Sequence, residues 1–290
     1  MGKHAYLIIA HNEFEILATL LRMIDDERND IYLHIDKKVQ DINKNNLEVN
    51  VKKANLYILE NRISVTWGDF SQIACELLLL KEATKVSHDY YHLLSGVDLP
   101  IKDQNTIHNF FDSCGEKEFV HIDAPVLTDE YIRRVDKYWL INRRKRNLPQ
   151  KIVNKLLLAV QAPIHRCRKS NLQYQKGANW FSITNAFAKY VVSQEELIKK
   201  TFQHTITADE MFLQTLLNSS EFKNQLYDTR MNGEYEAIKR EIDWNRGDPY
   251  VYRIEDLSYL LNSTNFFARK FSWNVDSKIV QALEENVRID

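Results

Sequence analysis

Ala5 to Ala10 is an unbroken apolar run, the pattern of a strand covered on both faces of a parallel sheet. The period then changes. Between Glu13 and Ile24 the apolar positions are Phe14, Leu17, Leu20, Leu21 and Ile24, which predicts a helix with one apolar face. Ile31 to Ile35 predicts a second buried strand ending at Asp36, and Leu56 to Leu59 a short third one. Phe70 to Thr84 reads as a strongly apolar helix, and Tyr90 to Leu94 as a further strand. Strand and helix alternating at this spacing predict right-handed crossovers and an open α/β sheet. Ligands in such sheets bind beyond the carboxyl ends of the strands. His11, Asp36 and Asp98 fall at or just past those ends, which favours a nucleotide-type site there.

The middle of the chain has another character. From Arg133 to Lys176 there are thirteen Lys or Arg residues and one acid, Asp136. Pro149 and Pro163 bracket Ile152 to Val160, read as an apolar helix edged by Lys151 and Lys155. Two readings stand: a solvated basic helix pair, or a surface facing an anionic membrane or a lipid-linked polyphosphate acceptor.

Composition narrows the function classes. The 290 residues are 44% hydrophobic and 27% charged, with a net charge of −1, so nothing global pulls the chain toward nucleic acid. Three scattered cysteines match no zinc or redox spacing and fit a reducing compartment. No apolar run reaches the length of a membrane span, and the chain opens almost directly into a strand. The expected location is the cytoplasm, with peripheral contact at the inner membrane face through the basic segment. Gly-rich phosphate loops are absent, which disfavours P-loop enzymes and dinucleotide dehydrogenases of the usual kinds.

Six blocks in order carry a family resemblance. They are Ala5 to Asn12 leading to Leu33-His34-Ile35-Asp36-Lys37, then Val65-Thr66-Trp67-Gly68, then Tyr91 to Lys102. Gly177 to Ile183, Ala208-Asp209-Glu210 and Phe266 to Phe271 follow. Together these resemble the core-2 and I-branching β-1,6-N-acetylglucosaminyltransferases, glycosyltransferase family 14, which includes the peptide O-xylosyltransferases. The resemblance implies a GT-A type α/β fold and an inverting transfer from a UDP-sugar without a metal. Lacking the anchor, stem and dense cysteines of animal members, the chain resembles a minimal bacterial form. It is read as one domain, 1–290, with a nucleotide-binding half (1–120), a basic insertion (121–176) and an acceptor and catalytic half (177–290).

Inverting transfer needs a base for the acceptor hydroxyl and positive charge for the departing diphosphate. No Asp-x-Asp metal motif occurs, so no metal site is expected and no cofactor beyond the UDP-sugar donor. The resemblance makes Glu210 the base, placed in the first turn of a helix whose apolar face begins at Met211. Plain capping by Asp209 and Glu210 is the alternative there. Lys270 and Arg246 are the candidates for the diphosphate, with Arg253 and Arg269 as rivals and Arg269 expected to face the other way across a strand. His11 and Asp36 are assigned to the uracil and ribose, against a turn-forming role for Asp36. Asp98, Trp180 and Trp67 are assigned to the donor or acceptor pocket; burial competes for Trp180 and is preferred for Trp67. The expected donor is UDP-GlcNAc with a glycan or lipid-linked glycan acceptor and a β-1,6 linkage, in bacterial surface polysaccharide synthesis. UDP-xylose is the alternative favoured by Phe266 to Phe271. A glycoside hydrolase or a non-catalytic carbohydrate-binding protein is the alternative of another class.

Overall fold

 The computed structural model describes residues 2–40, 42–139, 147–163, 167 and 170–288. The basic residues Arg143, Arg144, Lys145, Arg146, Arg166, Arg168 and Lys169 lie outside them.

In chain order the elements begin with strand β1 (His4–Ala10), helix α1 (Phe14–Met23), β2 (Asn29–Ile35), α2 (Lys44–Glu48) and β3 (Asn55–Ile58). Helix α3 (Ser71–Ala83), β4 (Tyr90–Ser95), β5 (Asp98–Pro100), α4 (Gln104–Cys114) and β6 (Phe119–Val120) follow. Next come α5 (Asp129–Asp136), α6 (Leu148–Val160), β7 (Phe181–Thr184), α7 (Asn185–Ser193) and α8 (Glu195–Phe202). A 3-10 turn (Ala208–Glu210) precedes α9 (Phe212–Asn218), β8 (Arg240–Ile242), α10 (Leu257–Asn262), β9 (Phe267–Arg269) and α11 (Ser277–Val287).

The main sheet has the order β3-β2-β1-β4-β7-β6, with β1 to β4 parallel and β7 antiparallel to both β4 and β6. This is the open, mostly parallel α/β sheet expected from the alternating pattern. Its continuous apolar run at β1 has a direct cause. Ala5, Leu7 and Ile9 join a core with α3, whereas Tyr6, Ile8 and Ala10 join one with α1 and α11. Both faces are covered, so neither needs polar residues.

A second, three-stranded sheet has the order β5-β9-β8. Buried Arg240 of β8 ties it to the main sheet by donating to the Phe181 carbonyl at 3.1 Å while its guanidinium lies over Phe267. Glu13, in the left-handed region at φ 52°, accepts hydrogen bonds from Ser272 Oγ at 2.6 Å and the Trp273 amide at 3.0 Å. That clamp holds the segment after β9 against the turn after β1. The expected helix at 152–160 starts earlier, because Asn147 and Gln150 form a reciprocal capping box and Pro149 fits the first turn.

Candidate active site

Three turns meet beyond the carboxyl ends of β1, β2 and β4. The Asp36 amide donates to the Ala10 carbonyl at 2.8 Å, and the Gly96 amide to that of Ile9 at 2.9 Å. A Cβ on Gly96 would stand 2.8 Å from that of Ala10, so the two turns need glycine to approach this closely. Asp36 is buried and accepts from the amides of Lys38 at 2.8 Å and Val65 at 3.1 Å. It therefore forms the turn that the structural alternative required, and does so at the expected nucleotide end. Exposed His11 stands in the fields of Asp36, Lys38 and Arg269; partial desolvation by the surrounding chain lowers its pKa, with Asp36 opposing.

Arg269, a rival for the diphosphate in the sequence reading, has a different partner. It pairs with Asp98 at 2.7 Å, its partner in the β5-β9 register, and its guanidinium covers the Trp180 ring at 4.5 Å. Burial pushes the Asp98 carboxyl above its ordinary value, with Arg269 pulling the other way. Asp98 also accepts from the Ser95 amide at 2.8 Å. Asp98, Arg269 and half-buried Trp180 thus form one unit.

Lys270 is half-buried, and among the described residues its ammonium has no hydrogen bond or ion pair. Its main chain is fixed from both sides, the amide donating to the Tyr250 carbonyl and its own carbonyl accepting from Tyr252 at 3.1 Å. Arg246 also meets Tyr250, lying 4.0 Å from the ring centroid. Its guanidinium is already paired with Asp243 and with Asp256 at 2.7 Å. A diphosphate would have to share it with these carboxylates. Arg253 is exposed and serves the turn that leads into α10.

Glu210 departs from expectation in its local structure. It ends the 3-10 turn rather than opening α9, and Met211 at φ −133° separates the two. Its carboxylate is instead held by Arg134 of α5 at 3.1 Å and lies 3.7 Å from Lys176. Both cations lie over the Tyr131 ring, at 4.6 and 4.9 Å. The turn is fixed by Thr207, at φ 48°, whose amide donates to the Gly68 carbonyl. Trp67, next to Gly68, is 51% exposed, so the preferred core reading does not hold.

Behind Glu210 lie two buried acids. Asp209 is pushed up to about 7, by burial first and Glu210 second. Burial, with Asp209 adding, pushes the Glu76 carboxyl well up. Glu76 accepts from Gln72 at 3.0 Å. Segment 177–180 connects this end to the Asp98 unit, since the Gly177 amide donates to the Glu210 carbonyl at 2.9 Å and Trp180 is three residues further on.

The sequence reading missed Arg134, Lys176 and Glu76. Arg134 and Lys176 were hidden in the basic run. Glu76 did leave a signal, as a lone acid between Cys75 and the four leucines that follow it. Metal-type donors do gather at His4, His108 and Asp112, but His4 opens β1, at the opposite end of the strand from His11.

The Core-2/I-Branching enzyme family matches this chain over residues 4–261. Among curated relatives, Xylosyltransferase 2 of Canis lupus familiaris is 22% identical over 97% of this chain and 33% of its own length. Xylosyltransferase oxt of Drosophila pseudoobscura pseudoobscura is 24% identical over 92% of this chain and 31% of its own. The chain thus spans about a third of the curated relatives it matches. Mouse Xyloside xylosyltransferase 1, in its apo form, aligns with 91% of this chain and 96% of its own at 8% identity and a TM-score of 0.36.

Proposed function

The chain belongs to the Core-2/I-Branching enzyme family, and from that premise we propose an inverting, metal-independent transfer of N-acetylglucosamine from UDP-GlcNAc to a glycan hydroxyl. The linkage we assign is β-1,6, and the setting is bacterial surface polysaccharide synthesis at the inner membrane face. In this reading Glu210 takes the proton of the acceptor hydroxyl as its oxygen bonds to the anomeric carbon. The bond from that carbon to the diphosphate breaks, and UDP leaves with its charge met by Lys270 and Arg246. Arg134 and Lys176 position the Glu210 carboxylate. His11 and Asp36 take the uracil and ribose, while Asp98 with Arg269, Trp180 and Trp67 line the sugar pocket.

The observation that carries the reading is Lys270, a cation without a carboxylate partner among the described residues, in a chain whose family match runs through the strand-end turns. A second reading keeps the mechanism and replaces the donor with UDP-xylose. The relatives named xylosyltransferases favour it.

Calorimetric titration with UDP, UDP-GlcNAc and UDP-xylose in excess EDTA tests both readings. UDP should bind with EDTA present, the preferred sugar names the donor, and Lys270→Ala should weaken UDP by roughly tenfold or more, the scale of a lost charge-assisted contact. Binding that returns only with manganese, or an unchanged Lys270→Ala variant, would reject the metal-free diphosphate site.

A further inference from the structure

Helix α6 is inside out. Asn154 is its one buried residue, whereas Leu148, Ile152, Leu156 and Val160 are 71, 53, 63 and 78% exposed. These four recur every fourth position, so they form one stripe along the helix. An apolar stripe on a globular protein normally faces the core; this one faces out.

Charge accompanies it. A cavity of about 580 Å³ between α5 and α6 is lined by Arg133, Lys137, Lys151 and Lys155 around Trp139 and Leu158. Lys137 is engaged with Asp136 at 3.1 Å and the Gln161 carbonyl at 3.1 Å. Among the described residues, Arg133, Lys151 and Lys155 have no carboxylate partner. Exposed leucines beside uncompensated cations are the two halves of a site for an anionic amphiphile. Nucleic acid would use the charge but not the stripe. No helix among the described residues is long and apolar enough to cross a membrane, so the helix would lie along a surface.

We propose that α6 lies in the interface of an anionic bilayer, its Leu148-to-Val160 stripe among the acyl chains and its lysines at the phosphates. Arg133 faces this cavity while its neighbour Arg134 holds Glu210. The bilayer face and the proposed base thus lie on neighbouring faces of α5. The surface stands without the transferase reading, and its test uses no turnover.

The whole chain is sedimented with vesicles of phosphatidylcholine alone and with about a third phosphatidylglycerol, with UDP titration and thermal unfolding as controls. Wild type should prefer the anionic vesicles, and salt should weaken the preference. Ile152→Glu with Leu156→Glu should reduce partitioning by tenfold or more while UDP binding stays. Lys151→Gln with Lys155→Gln should reduce the anionic preference by roughly fivefold per charge and leave the controls unchanged. Equal partitioning to both vesicles, none to either, or full binding by the Ile152 and Leu156 variant would overturn the proposal. So would competition by inorganic phosphate with no vesicle binding, or capture of single-stranded DNA instead of vesicles.

Discussion

At the scale of single residues, the proposed base is arranged by cations from outside its own turn. Glu210 meets Arg134 and Lys176, so its orientation depends on α5 and on the segment before β7. Glu210→Gln keeps the shape of the side chain and removes the proton acceptor. Turnover should fall by roughly 100-fold or more with UDP affinity nearly unchanged, as measured by initial rates and calorimetry. Asp209 makes a different prediction. Its carboxyl is raised to about 7, so the folded state holds a proton that the unfolded chain releases near its ordinary value of 3.8. That contribution is present below about pH 4 and is lost as pH rises through 7. Asp209→Asn removes the loss. Its unfolding free energy relative to wild type should therefore rise between about pH 4 and 7, by at most roughly 1.4 kcal/mol per pH unit in chemical denaturation, and level off above that. A flat difference would show that Asp209 does not carry the proton.

Among elements, those with a clear period were legible in the sequence. β1, α1, β2, α3 and β4 each carry a buried run or a helical stripe, and the structure places them within a few residues of expectation. The second sheet carries no such signal, because β5, β8 and β9 have three residues each. Alternation along so short a strand says little when the chain bends on either side, so the pairing of Arg269 with Asp98 was not legible. Glu210 was misplaced by one element for a similar reason: the apolar stripe of α9 extends in sequence past the point where helical geometry begins. Gly177 shows how tightly these joins are made. A Cβ there would stand 1.8 Å from the His121 carbonyl oxygen. Gly177→Ala must move the segment that holds both Glu210 and Trp180, and should cost about 1–3 kcal/mol in chemical denaturation. Unchanged stability would mean the segment has room to shift.

Across the whole molecule, the strand-end site was legible because an open parallel sheet gathers turns at one end whatever its loops do. His11, Asp36 and Asp98 needed only the order of strands to be placed. The contributions of Arg134, Lys176 and Arg269 depended on contacts between distant parts of the chain, which local pattern does not encode. The net charge of −1 likewise concealed a molecule with one strongly basic, outward-apolar flank.

The small sheet sets an order of assembly. Asp98 and Arg269 are 171 positions apart in sequence, and β9 lies between β5 and β8. Until β9 has left the ribosome, β5 and β8 have no strand between them and Asp98 has no arginine. The nascent chain can build most of its main sheet first, but the Asp98–Arg269 pair closes only after β9 has followed.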